Sequence, residues 1–490
     1  MNTIKIQLWF IASAITILMA GCINMPDKPV FQKTIEVDAT KKMQPIDGFG
    51  ANFTPAQWDK GGMKRTIDLL TDDLGATLFR FDCVGLANWL DTNRMDKQGT
   101  YPSSYLDSVY TSKTFRLAWN AFRYFNSKGI EPFFNVSGRI NPLLGRPDNP
   151  QHLANFDAYA EMVVTMLKWA RDKENLKFTI LAPFNETSLG YPEGPKIDPE
   201  EIVPAIRAVQ KKMKKYNMSD IQLIAPDDHI PLPGKIHAML GDTSLIRENI
   251  IYGTHSYGYE PGDNDWESEP STDIVFANLI RGKLGEKTRI WMTEYGDLDQ
   301  SMLIENEFAM RSAFRVLKIL KTGYNGAMVW DAFDNFHEHD TTWATYGLLK
   351  TDTISWDYIA RERYYAAKQI FRFVKPGFIQ ISAIPVDISA KYDVYKKYHN
   401  PMQHVHLLAF VSPDFKDLTI VGMNKIEGNI SLDFKLSGLN KLAGQKLYLY
   451  QTDQDLNCKK TGEYNLENNL LKVTVKKNSI FTVSTINTGD

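Results

Sequence analysis

From about Gln44 to Phe371, short apolar runs alternate with longer stretches whose apolar residues return every three or four positions. The short runs have the length and the β-branched or aromatic content of buried strands: 46–52, 77–81, 132–136, 178–184, 222–225, 250–254, 289–293 and 327–329. Helical stripes lie between them. Residues 155–173 carry Phe156, Tyr159, Met162, Val163, Met166, Leu167 and Ala170 on one face. Residues 305–322 repeat the pattern and stop at Gly323, a residue suited to the left-handed turn after a helix. Eight strand–helix units predict an α/β fold closed as a (β/α)8 TIM barrel. The alternative, an open doubly wound sheet, lacks its usual mark: no Gly-rich phosphate turn follows the first strand.

After about Lys375 the period changes from near four to two. Ile430, Leu432, Phe434 and Leu436 alternate with Ser431, Asp433 and Lys435, and Leu471, Val473 and Val475 alternate with Lys472 and Thr474. This is the pattern of strands with one buried face, and it predicts a C-terminal antiparallel β-sandwich. The expected division is a barrel over 44–374 and a β-domain over 375–490. Residues 34–37, ahead of the barrel, are a further strand candidate for the β-domain.

The first residues read as a targeting segment. Lys5 supplies a positive start and residues 8–19 an apolar run, too short for a span of about 20 residues. Met19-Ala20-Gly21-Cys22 resembles a bacterial lipobox, so a signal peptide over 1–21 and lipidation of Cys22 are expected. Residues 22–43 then hold a polar tether and the extra strand. The implied location is a bacterial membrane, at the cell surface or in the periplasm, through a lipid anchor. Cys83 and Cys458 have no metal-ligand spacing and read as small apolar fillers.

Net charge is −2 over 490 residues, which speaks against nucleic acid or a polyanion as partner. Candidate chemistry follows from the barrel, whose active sites lie at the C-terminal ends of the strands. The fourth strand ends in Phe184-Asn185-Glu186 and the seventh in Thr293-Glu294-Tyr295. Two carboxyls facing each other across a barrel mouth can cleave a glycosidic bond. One protonates the leaving oxygen, and the other attacks the anomeric carbon or activates water. A gap of about 5–5.5 Å gives retention, and about 6.5–9.5 Å gives inversion. Other strand ends supply support. Arg80 can hold Glu294 ionised and Tyr257 can donate to it. Asn185 and Asn135 can bond sugar hydroxyls, His255 can line the site, and Trp330 can floor a sugar ring. Each alone has a structural explanation, but their joint placement at strand ends points to a substrate site.

These residues resemble the clan A glycoside hydrolases, and within that clan the chain is similar to glycoside hydrolase family 30. The resemblance rests on Ile46-Asp47-Gly48-Phe49-Gly50-Ala51, Arg80-Phe81-Asp82, Asn185-Glu186 and Trp291-Met292-Thr293-Glu294. It continues through Tyr364-Tyr365, Phe371 to Gly377, Val411-Ser412-Pro413-Asp414 and Val421-Gly422-Met423-Asn424. It implies Glu186 as acid/base, Glu294 as nucleophile, retention by double displacement, no cofactor and no metal. The implied substrate is an oligo- or polysaccharide of the β-glucan, β-xylan or β-galactan type, and a monomer is expected. Two departures stand out: Thr187 where that family often has Pro, and Asn135-Val136-Ser137-Gly138-Arg139 where it often carries an aromatic near Ser and Pro.

Two other classes compete. Asp227-Asp228-His229 after the fifth strand, with His337, His339 and Asp340 after the eighth, would suit a metal-dependent barrel hydrolase. Their other reading is polar loop residues lining a sugar site. A non-catalytic glycan-binding lipoprotein is the third reading. Retention of both carboxylates argues against it.

Overall fold

The computed structural model describes residue 29 and residues 31–82, 87–229, 233–245, 250–257, 272–296, 305–336, 343–386 and 405–489. The expected signal peptide, Cys22, Cys83, His337, His339 and Asp340 lie outside the described residues. Among the described residues, no helix is long and apolar enough to cross a membrane.

Eight parallel strands close into a barrel: Gly48–Phe53, Leu78–Asp82, Phe133–Asn135, Ile180–Ala182, Gln222–Ile224, Ile250–Tyr257, Ile290–Gly296 and Gly326–Val329. These are called the first to eighth barrel strands. Closure comes from pairing of the eighth with the first, Gly326 to Val329 against Gly48 to Ala51. The short strand Asp228–His229 adds beside the sixth. The Gly-Phe-Gly start has a steric cause: a Cβ at Gly50 would lie 1.5 Å from the Leu78 carbonyl oxygen.

Strand alternation sorts the apolar residues into two layers. Phe133, Ala182, Ile224, Ile251, Trp291 and Met328 fill the barrel interior. Their neighbours Phe134, Leu181, Leu223, Tyr252, Met292 and Val329 pack outward with the helices. Helix Phe156–Asp172 is part of that shell, and Asn155 caps it by accepting from the Ala158 backbone N–H at 3.1 Å.

The second sheet has nine strands and is mostly antiparallel. Strand Phe31–Pro45 lies inside it, paired antiparallel with Ile379–Pro385 and parallel with Ile430–Ser437. The parallel pair departs from the all-antiparallel expectation. This strand enters from ahead of the barrel instead of through a tight hairpin, so no turn dictates its direction. Strands Val405–Val411, Leu418–Asn424 and Ser479–Ser484 are buried on both faces. Leu407, Ala409, Ile420 and Val483 face the β-domain core. Leu408, Phe410, Val421, Met423 and Ile480 face the barrel's helical shell. Helices Glu305–Lys321 and Glu362–Phe371 lie against them there. Cys458 is buried with Phe373 and Tyr450 as a small filler.

Ile35, fully buried in the first half of Phe31–Pro45, joins the β-domain core. Ile35→Ala is expected to destabilise the protein by about 2–4 kcal/mol, read as a lower urea midpoint. An unchanged midpoint would show that this strand contributes nothing to the domain.

Candidate active site

Arg80 is the centre of the barrel mouth. Strand alternation turns it inward above Leu78, and its side chain is 1% exposed. An unpaired guanidinium there would be strongly unfavourable. All five of its N–H donors are engaged. Nε and Nη2 donate to Asp227 Oδ2 at 3.3 and 3.1 Å, Nη1 donates to Asn52 Oδ1 at 2.9 Å and Glu294 Oε1 at 2.5 Å, and Nη2 also donates to Asn185 Oδ1 at 2.5 Å. Asp227, buried and left-handed at φ 55°, also accepts from Thr293 Oγ1. Burial works to raise its pKa, but Arg80's charge and the His255 hydrogen bond outweigh that and hold the carboxyl far below the usual range.

Glu294 reaches this centre through a bulge. Along the seventh strand Trp291 points in and Met292 out, so plain alternation would send Glu294 outward with Met292. Pairing with the sixth strand skips a residue instead: Thr254 is opposite Met292 and His255 opposite Glu294. The extra residue is Thr293. Beyond it Glu294 faces the mouth and Tyr295 returns to the outer core. Tyr257 donates its hydroxyl proton to Glu294 Oε2.

Glu186 faces it from the loop that follows the fourth strand. Its backbone is left-handed at φ 42°, and its N–H donates to the Asp227 carbonyl at 3.0 Å. An oxygen of Glu186, an oxygen of Glu294 and a ring nitrogen of His255 all lie within 4.8 Å of one another. His255 Nδ1 is 2.7 Å from Glu186 Oε1, and Nε2 is 3.3 Å from Asp227 Oδ1. Burial disfavours charge on this ring, yet Glu294, Asp227 and Glu186 push its pKa up to about 10. His255 therefore carries a proton on each nitrogen at neutral pH. Burial also acts to raise Glu186, but the His255 hydrogen bond and charge outweigh it and keep this carboxyl below its usual value. Glu294 is raised: burial and the Glu186 charge exceed the opposing pull of His255, Arg80 and Tyr257.

A GH30 endoxylanase from Clostridium papyrosolvens C71 superposes with a TM-score of 0.66 at 16% identity, over 92% of this chain and 99% of that one. The endo-β1,6-glucanase BT3312 gives 0.64 at 14% identity, over 94% and 95%. A β-xylosidase from Caulobacter crescentus CB15 gives 0.58 at 14%, over 92% and 99%. The fold is that of glycoside hydrolase family 30. No protein-family model matches the chain, and no curated protein matches it by sequence.

The remaining sequence candidates fall around the same mouth. Asn135 is buried, and neither its Oδ1 nor its Nδ2 has a hydrogen-bond partner among the described residues. Asn185 gives its Oδ1 to Arg80 and one N–H to the Glu193 carbonyl. Trp330, at the end of the eighth strand, is partly exposed. Asn52 and Asp227 were not singled out from the sequence as parts of this centre. Asp227 is a buried partner of Arg80 and not a loop residue lining a ligand space. Two groups of three potential metal ligands occur among the described residues: Glu186, His255 and Glu294, and His152, Asp198 and Glu201. In each an arginine already bonds a carboxylate, Arg80 on Glu294 and Arg146 on Glu201. A doubly protonated His255 also has no lone pair to offer a metal.

Thr187, where family 30 often has Pro, belongs to a buried support. Lys235 Nζ, on helix Pro233–Gly241, donates to Thr187 Oγ1 at 2.6 Å, Ser188 Oγ at 2.7 Å and Asp228 Oδ2 at 2.7 Å. Ser188 Oγ donates to the same Asp228 oxygen at 2.8 Å. This cluster holds the two residues after Glu186. Lys235→Met strands Asp228 as an unpaired buried charge and is expected to destabilise by about 3–5 kcal/mol. Adding Asp228→Leu is expected to recover part of the loss in a thermal melt. Simple additivity of the two losses would contradict the coupling.

Proposed function

We propose that the chain is a retaining β-glycoside hydrolase acting on an oligo- or polysaccharide of the β-glucan, β-xylan or β-galactan type. Glu186 is the acid/base and Glu294 the nucleophile. The observation that carries this reading is the approach of Glu186 and Glu294 oxygens to within 4.8 Å, from opposite points of the barrel mouth. That approach favours direct attack by a carboxylate over attack by an interposed water, which needs a wider gap. The fold shared with a GH30 endoxylanase and an endo-β1,6-glucanase is consistent with it.

In the first step a Glu294 oxygen bonds the anomeric carbon as the glycosidic C–O bond breaks. Arg80 and Tyr257 orient that carboxylate, each on a different oxygen. The departing oxygen takes a proton from Glu186. The Glu186–His255 pair holds one proton on its 2.7 Å hydrogen bond, so His255 can supply it through Glu186. In the second step water attacks the same carbon, Glu186 accepts its proton, and Glu294 is released. No cofactor enters this scheme. Lipidation at Cys22 would place the enzyme on a bacterial membrane surface, where polymeric substrate is met outside the cytoplasm.

Glu294→Gln is expected to lower kcat by about a thousandfold or more on every substrate. Glu186→Ala is expected to lose about 10²–10⁴ on disaccharides and far less on 4-nitrophenyl glycosides, whose leaving group needs little protonation. The pH–rate profile should be bell-shaped. Its acid limb is set by ionisation of Glu294 and lies above the ordinary glutamate pKa, since that group is raised. The alkaline limb is set by loss of the proton shared by Glu186 and His255. Equal loss of Glu186→Ala activity on both substrate types, or a flat profile, would contradict these roles.

A further inference from the structure

The chain beyond the fifth barrel strand is held from three directions. The Asp227 carbonyl accepts the Glu186 N–H at 3.0 Å. The Asp228 carboxylate takes Lys235 Nζ at 2.7 Å and Ser188 Oγ at 2.8 Å. The short strand Asp228–His229 pairs parallel with the sixth barrel strand and sets His229 opposite His255. Successive side chains of a strand point to opposite faces. With Asp228 committed to the Lys235 cluster, His229 is turned to the mouth.

There its ring meets both halves of the catalytic site. It stacks on Tyr257, with ring centres 5.9 Å apart and planes 26° from parallel. Its Nδ1 lies 3.7 Å from Glu186 Oε1, too long for a hydrogen bond. That oxygen is already served by His255 Nδ1 at 2.7 Å, so His229 is not needed to hold the carboxyl. Among the described residues neither ring nitrogen of His229 has a hydrogen-bond partner. The side chain is also open. It is 24% exposed, against 7% or less for Arg80, Glu186, Asp227, His255 and Glu294. An imidazole thus stands at the mouth, placed by strand pairing and a ring stack, with its polar edge unused. It carries at least one N–H in either protonation state, and a sugar hydroxyl can accept that hydrogen bond. The side of the mouth follows from its neighbour. Glu186 protonates the departing oxygen, so a group set against Glu186 borders the leaving group.

We propose that His229 is a specificity-determining residue on the leaving-group side, donating a hydrogen bond to a hydroxyl of the departing sugar. This rests on the hydrolase reading above. An aryl leaving group presents no hydroxyl there and gains nothing from His229. A second sugar does, and its advantage is that of one hydrogen bond made at an already placed donor.

The test compares the full chain with His229→Ala, His229→Phe and His229→Gln. Phe keeps a ring to stack on Tyr257 and has no N–H, whereas Gln gives up the ring and keeps an N–H. Matched substrates are 4-nitrophenyl β-D-glucoside with gentiobiose, the β-xyloside with xylobiose, and the β-galactoside with β-1,6-galactobiose. In the Ala and Phe variants the ratio of disaccharide to aryl-glycoside kcat/KM is expected to fall about three- to tenfold, mainly through a higher disaccharide KM. The Gln variant is expected to keep a ratio nearer that of the wild type. Aryl-glycoside turnover by each variant shows that it is folded. A wild-type ratio in His229→Phe would overturn the proposal, because the ring alone would then suffice. A ratio in His229→Gln as low as in His229→Phe would do the same. So would equal loss on both members of each pair, the result of a role exerted only through Glu186 or Tyr257. Wild-type protein that cleaves aryl glycosides and no disaccharide would also overturn it and leave the hydrolase reading intact. Absence of wild-type turnover on every pair would instead overturn the hydrolase reading, and this inference with it.

Discussion

The buried ion pair between Arg80 and Asp227 is the constraint from which the barrel mouth is built. A guanidinium with 1% exposure is tolerable only when its donors are all satisfied, and Asp227 takes two of the five hydrogen bonds. The other three reach Asn52, Asn185 and Glu294. One side chain thereby fixes the ends of the first, fourth, fifth and seventh strands against each other. Asp227 extends the network to His255 and Thr293 through its second oxygen. Its carbonyl also receives the Glu186 N–H. Both glutamates are thus positioned from one centre, one through its carboxyl and the other through its backbone.

The fold delivers these groups by breaking its own regularity at chosen points. The bulge at Thr293 re-aims Glu294, and left-handed residues at Glu186 and Asp227 turn the chain in the loops that follow the fourth and fifth strands. Below the mouth the interior is closed by a packed apolar layer around Trp291 and Phe133, on which the charged groups sit. Outside, the β-domain packs two faces at once, its own core and the helices Glu305–Lys321 and Glu362–Phe371. The strand Phe31–Pro45 ties the chain ahead of the barrel into that domain.

Much of this was legible in the sequence because it depends on period. All eight barrel strands have distinct apolar runs, and Arg80, Glu186 and Glu294 stand at the ends of three of them. What was not legible depends on departures from period. Alternation from Trp291 points Glu294 away from the mouth, and nothing local in Thr293 announces the bulge. Asp227 looks like one more polar loop residue beside Asp228 and His229, because its partner Arg80 is 147 positions away. Lys235 carries no sequence signal of burial, yet the fold buries it on Asp228. The parallel pairing of Phe31–Pro45 with Ile430–Ser437 joins segments some 400 residues apart, beyond the reach of any turn signal.

Carboxyls of one charge, held this close, suit chemistry in which one gives up a proton while the other attacks. His255 sets its Nδ1 against both carboxyls, 2.7 Å from Glu186 Oε1 and 3.5 Å from Glu294 Oε2, and so places positive charge beside the pair. The central claim is that Glu294 attacks carbon directly, leaving no room for water on the first pass. Proton NMR of the first-formed sugar from an actively cleaved β-glycoside tests it most directly, since each displacement inverts the anomeric centre once. The account predicts that the β-anomer appears first and mutarotates to the mixture. Initial release of the α-anomer would mean a single displacement by water and would contradict it.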